Sequence, residues 1–249
     1  MIRSFREIRM SGCMKITHPR LLIPLVLALG LSSCATYTTP GRPADLTLFT
    51  EPKARKAYTA RPAIRFPANI AIVRVQEGGY VSAQGRAHGQ GAYSVVTKRD
   101  IEKEKDVDAL SQLPGLAGAV KLNRLLLPQT LNTDEDLREA AAKLHADAIL
   151  IYTLNTEFRS NDVLPPLTVL SLGILNSTRY QITATASAIL MDTKTGYIYG
   201  ALEESSDETA GAILFDGSDF ARQKAERSAF EKLLTSFGPF WKGLYARHR

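Results

Sequence analysis

Thiols, imidazoles and indoles are scarce in this chain, which has two cysteines, four histidines and one tryptophan in 249 residues. Two cysteines, Cys13 and Cys34, cannot build a thiolate metal cluster or a disulfide framework, so stability has to come from packing. Long apolar runs are also missing. The longest, Leu21 to Leu31, covers eleven residues and contains Pro24, well short of the roughly 20 that a spanning helix needs. There is no Gly-Lys-Ser/Thr, no Gly-x-Gly-x-x-Gly and no Gly-x-Ser-x-Gly. Phosphate cradles, dinucleotide sites and the nucleophile elbow therefore find no support. No spacing of His, Cys, Asp or Glu reads as a metal or cofactor site, and no residue is assigned a catalytic role.

The net charge of +6 invites a nucleic-acid reading, but the location of the charge argues against it. Residues 1–33 hold Arg3, Arg6, Arg9, Lys15 and Arg20 against Glu7 alone, which leaves the remainder nearly balanced at +2. No nucleic-acid partner is expected. The same segment is built as a basic stretch, an apolar run and then Leu31-Ser32-Ser33-Cys34, the layout of a secretory signal. That signal is complete from Met14 onward, so translation is expected to begin there, with Cys13 outside the made protein.

The ending Leu31-Ser32-Ser33-Cys34 resembles the lipobox of bacterial lipoproteins. The resemblance implies cleavage between Ser33 and Cys34, a diacylglyceryl group on the Cys34 sulfur and acylation of the new amino terminus by a fatty acid such as palmitate. Ala35 stands where an aspartate signals inner-membrane retention in Gram-negative lipoproteins, which implies an outer-membrane anchor facing the periplasm. Residues 34–62 hold Pro40, Pro43, Pro52 and Pro62 with few apolar positions and read as an extended tether.

Residues 63–249 read as one α/β domain, a mixed sheet of four to six strands covered by helices. Ile70 to Val75 is a β-branched run expected of a buried strand. Gly78 to Gly91 reads as a loop, with His88 solvated inside it, and Tyr93 to Thr97 as a second strand. The mixed charges from Lys98 to Asp106 read as a solvated surface leading into a helix that runs to Leu113 and is broken by Pro114-Gly115. Leu122 to Leu127 is expected as a strand or edge segment.

Thr133 followed by Asp134, Glu135 and Asp136 marks a helix start, with Leu137, Ala140, Ala141 and Leu144 on one stripe. Ala148 to Leu154 is a strongly apolar strand, so strand, helix and strand form a βαβ-like unit. Leu167 to Leu175 is apolar nearly all round and reads as a buried segment. Arg179 to Met191 alternates better than that segment, reads as a half-exposed strand and should pair with Tyr197 to Leu202 through a turn at Asp192-Thr193-Lys194-Thr195-Gly196. A helix capped by Ser218 should cover the sheet with Phe230, Leu233, Leu234 and Phe237. Gly238-Pro239 should end or kink it, leaving a short aromatic segment from Phe240 to Tyr245.

The strand and glycine loop, the Ala146-Asp147-Ala148-Ile149-Leu150 entry, the turn at Asp192-x-x-Thr195-Gly196 and the covering terminal helix together resemble one group of envelope proteins. It comprises the curli-secretion lipoproteins, the lipoprotein activators of penicillin-binding proteins and the amino-terminal domain of the Tol-system translocation protein. Leu170-Ser171-Leu172-Gly173 and Thr185-Ala186-Ser187-Ala188 are also similar to stretches of rhombotarget-type lipoproteins. These resemblances imply a non-enzymatic binding, assembly or regulatory module with membrane lipid and an envelope protein as partners. An oligomeric secretion channel is the alternative from the same group. A hydrolase would have to draw on Ser205, Ser206, Asp207 and His145, which supply the residue types of a triad without its motif.

Overall fold

The β-branched run and the apolar strand of the sequence lie side by side at the centre of one mixed sheet. The structure, a computed structural model, describes residues 36–38, 43–49, 59–82, 84–162, 178–211 and 217–248. Ser33, Cys34, the run Leu21 to Leu31 and Leu167 to Leu175 lie outside the described residues.

In chain order the elements are β1 (Thr36–Thr38), β2 (Ala68–Glu77), β3 (Val81–Ser82), β4 (Gly85–Arg86), β5 (Gln90–Gly91) and β6 (Tyr93–Val95), then α1 (Glu104–Ser111) and β7 (Leu116–Lys121). They continue with β8 (Thr130–Leu131), α2 (Asp134–Lys143), β9 (Ala148–Asp162), β10 (Thr178–Asp192), β11 (Ile198–Gly211) and α3 (Gly217–His248). The sheet runs β11-β10-β9-β2, after which β7 and β6 share the far edge of β2 and β1 pairs with the outer part of β9. Five strands are long and two are three-residue edge pieces, as an α/β mixed sheet with a C-terminal helix requires. The glycine-rich stretch holds a two-stranded β3-β4 ribbon, and β5 pairs with β8.

β2 pairs in parallel with both β7 and β9. The connection through α1 steps from β2 to one neighbour, and the connection through α2 steps across β2 to the other. Crossovers of one hand that step in opposite directions must leave their helices on opposite faces. Leu110 of α1 accordingly packs with Ile70, Ile72, Leu150 and Phe230 of α3. Leu137, Ala140 and Ala141 of α2 pack with Ala71, Val73, Ile149 and Ile151. Asp136 fixes the start of α2 by accepting from the backbone N–H of Asn132 and Thr133, both at 2.9 Å.

The strands β9, β10 and β11 form an antiparallel meander of 15, 15 and 14 residues. β11 extends far past Leu202 because its acidic residues face helix or solvent, leaving the backbone ladder intact. The 32 residues of α3 measure about 48 Å at 1.5 Å per residue, which matches about 46 Å of strand. The helix therefore runs back along the whole meander.

Of the end or kink expected at Gly238-Pro239, the end does not occur, since Pro239 lies inside α3. A proline in a helix interior costs about 3 kcal/mol. Phe237, Trp241 and Leu244 are buried, at about 1.5–3 kcal/mol each, and burial wins. Trp241 also donates Nε1–H to the Pro114 carbonyl at 3.0 Å. Tyr245 packs over Gly115, where a Cβ would sit 2.4 Å from its ring.

Two further expectations differ. The strand lies at Leu116–Lys121, and Arg124–Leu126 is a 3-10 turn with Leu125 exposed. The leucine cluster is more apolar, but β2 offers its edge to the residues that leave Pro114-Gly115 directly. Parts of the stretch read as a tether are also bound to the sheet. β1 pairs with Glu157 to Arg159, Pro43 bridges to Gln76, and Ala44 is buried.

Candidate functional site

Among the described residues, the face of the meander opposite α3 is covered by α2 near the start of β9 and by Pro43–Thr47 at Thr153. On β10 and β11, Thr183, Thr185, Glu203, Ser205 and Asp207 of this face lie toward the surface. β10 and β11 set Thr183 opposite Asp207, Thr185 opposite Ser205 and Ser187 opposite Glu203. Each pair is hydrogen bonded, with Thr183 Oγ1 donating to Asp207 Oδ1 (2.6 Å), Thr185 and Ser205 sharing a hydroxyl bond (2.9 Å) and Ser187 Oγ donating to Glu203 Oε2 (2.8 Å). Cross-strand pairs of this kind stabilise a polar sheet face.

Beside this ladder lies an open groove of about 1160 Å3, walled by Asp45, Leu46 and Thr47 on one side and by Asn155, Thr185, Ser187 and Glu203 on the other. Its floor is held by Gln76. β2 stops pairing with β9 at Arg74 and Tyr152. The Gln76 carboxamide then continues the ladder, donating to the Leu154 carbonyl at 2.9 Å and accepting from Leu154 N–H at 3.1 Å. Thr153 Oγ1 donates to the same Gln76 oxygen at 2.6 Å and accepts from Ala44 N–H at 3.1 Å. That chain of bonds fixes the Pro43–Thr47 wall of the groove against β9.

The other face carries a buried ionic cluster beneath the first turns of α3. Arg74 Nη1 lies 3.0 Å from Asp100 Oδ1 and 3.6 Å from Glu102 Oε1. Arg222 Nη1 lies 2.8 Å from Glu226 Oε2, and Glu226 Oε1 accepts from Thr156 Oγ1 at 2.8 Å. Tyr152 donates its hydroxyl to Glu102. Further along, Arg227 forks onto both oxygens of Asp106 at 2.5 and 2.7 Å.

The segment from Lys98 to Asp106, read as solvated, thus places Asp100, Glu102 and Asp106 under α3. Burial opposes the charge on Arg74, but Glu102, Glu226 and Asp100 around it prevail and hold its pKa above the usual value. Burial, reinforced by Glu102, pushes the Tyr152 phenol well up. These groups orient α3; none is open to a ligand. The signals in the sequence were Arg74 inside a β-branched run and Arg222 and Glu226 on the same stripe as Ala229, Leu233, Phe237, Trp241 and Leu244.

The residues that could supply a triad are not brought together. Ser205 and Asp207 belong to the polar ladder, whereas Ser206 is buried on the opposite face and donates to Ser228 at 2.8 Å. His145 sits in a left-handed conformation (φ 53°) at the turn into β9. Ser205 is level with Asn155, seven residues up that strand, or about 24 Å away. His88 lies within 3.1 Å of the Pro128 carbonyl through Nε2. Asp192 accepts from the backbone of Lys194 and Thr195 in the hairpin turn.

Among the described residues, the ladder offers hydroxyls and carboxylates, groups that donate and accept hydrogen bonds. No protein-family model matches the sequence, and the comparison with curated proteins gives no match.

Proposed function

We propose that the chain is a lipoprotein of the bacterial envelope, anchored in the outer membrane through acylated Cys34, that binds an envelope protein on the open face of β9, β10 and β11 and performs no chemistry of its own. The observation that carries this reading is the polar ladder with its groove. Among the described residues, no α-helix covers the outer part of this sheet face, and its side chains are ordered by cross-strand hydrogen bonds. A surface built that way is ready for a partner at small cost in side-chain ordering. The Leu31-Ser32-Ser33-Cys34 motif supports the anchor.

Photo-crosslinking in intact cells tests the interface. A crosslinking residue at Thr185 or Asn155 is expected to trap one defined adduct that a residue at Lys143, on the outer side of α2, does not. Equal yields at all three positions would refute the assignment of this face. Cys34→Ala tests the anchor separately and is expected to abolish lipid labelling while leaving the fold intact.

One observation favours a second reading, the oligomeric secretion channel. β9 and β10 stay paired to Asp162 and Thr178, and the fifteen residues between them contain no charge. This reading expects a detergent-stable ring that conducts ions in planar bilayers. A monomer under the same conditions would remove its support.

A further inference from the structure

β1 sets how far the folded domain can stand from its anchor. Its antiparallel register places Thr36 opposite Arg159 and Thr38 opposite Glu157. Going back from Thr36 toward Cys34 therefore moves toward the outer end of β9, where Asp162 pairs with Thr178 and Arg179 with Gly211. Two residues of fully extended chain reach about 7 Å. An acyl group on Cys34 lies within that reach of the sheet, so no free tether separates lipid from domain.

The same end carries an unpartnered aromatic residue. Lys224 of α3 pairs with Glu208, which is level with Phe158, and Phe220 lies one turn further out with 71% of its surface exposed. It is the one large aromatic side chain so exposed among the described residues. Among the described side chains at this end, opposite charges are paired, Arg159 beside Glu157 and Lys224 beside Glu208.

We infer that the domain rests directly on the bilayer by the outer end of β9, β10 and β11, with Phe220 seated in the headgroup region beside the acylated amino terminus. The occupant of this surface is the lipid itself, because the covalent chain brings the acyl groups to it. A protein partner would have to compete with lipid held at that distance. The inference rests on the lipoprotein reading and deepens it, since it fixes which way the molecule faces. The polar ladder then stands along the membrane normal, and the Asp192 turn is roughly 45 Å from the lipid along the strand.

Acylated full-length protein in vesicles of phosphatidylethanolamine and phosphatidylglycerol provides the test. A fluorophore is attached at Phe220→Cys or, at the far end, at Lys194→Cys, both surface positions. Lipid carrying a headgroup nitroxide is expected to quench the label at position 220 severalfold more than the label at 194. A flexible glycine-serine insertion after Ala35 is expected to bring the two values together. Equal quenching without the insertion, in protein that floats with the vesicles, overturns the inference and leaves the lipoprotein reading standing. Protein that carries no acyl group and fails to float overturns both.

Discussion

The carboxylate of Asp192 accepts four hydrogen bonds from three parts of the chain. Oδ1 takes the backbone N–H of Lys194 and Thr195, each at 2.9 Å, and closes the hairpin turn. Oδ2 takes Ala63 N–H at 2.8 Å and the Tyr199 hydroxyl at 2.6 Å, tying the start of the domain to β11. With the residue 1% exposed, its removal strands donors inside the protein. Asp192→Ala is expected to cost about 3–5 kcal/mol, read as a lower urea midpoint with an unchanged slope.

The same contact sets a pH dependence. Burial first, and the bond to Asp192 second, raise the Tyr199 phenol above its ordinary value. Burial does the same for Tyr93 and Tyr152. A raised phenol keeps its proton in the folded chain after the unfolded chain has released it. Stability is then fully present below about pH 10 and falls as pH rises beyond that. Urea midpoints measured across that range are expected to be flat at first and then to drop, with a shallower fall in Asp192→Ala. A midpoint that stays level above about pH 10 would contradict the burial of these phenols.

At the scale of elements, α3 is the informative case. Its packing stripe begins with Arg222 and Glu226 and only then becomes Ala229, Leu233, Phe237, Trp241 and Leu244. Removing Glu226 alone takes from buried Arg222 its 2.8 Å partner, while Asp100 stands farther off at 4.0 Å, so Glu226→Leu is expected to cost about 3–5 kcal/mol. The double variant Arg222→Met with Glu226→Leu removes charge of both signs and is expected to be more stable than Glu226→Leu. The coupling, about 0.5–3 kcal/mol, is read from a double-mutant cycle in chemical denaturation.

α3 also shows what periodicity can and cannot find. β2, β9, β10, α2 and the Asp192 turn were legible because each announces itself by local pattern, as the alternation from Tyr180 to Leu190 does. Asp100, Glu102 and Asp106 were not legible, because a charged residue in a loop looks the same whether it meets water or an arginine from another element. Pro239 misled as a helix end for the same reason. Its local cost is visible in the sequence, whereas the burial of Trp241 and Leu244 that outweighs it depends on the sheet. The polar ladder lay between these cases, since its hydroxyls were visible as an exposed face but not as cross-strand partners of Glu203 and Asp207.

For the whole molecule, the residues before the first long strand decide how the sheet is closed. β1, the Pro43 bridge and the buried Ala44 together line the edge of β9 that β2 does not reach. Three residues of Thr-Tyr-Thr carry no period of their own, and only the unpaired edge opposite them makes a strand there, which is why the stretch read as a tether. An unpaired edge of this length is a template for intermolecular pairing. A chain beginning at residue 63 keeps the Asp192 contact to Ala63 and both hydrophobic layers, so it is expected to fold. It loses the burial of Ala44 and Leu46, about 2 kcal/mol, and it opens the outer edge of β9. Compared with a chain beginning at residue 35, it is expected to show a modestly lower urea midpoint and concentration-dependent association by light scattering. A free tether would leave both quantities unchanged on truncation, so equal midpoints and two monodisperse samples would overturn the pairing of β1 with β9.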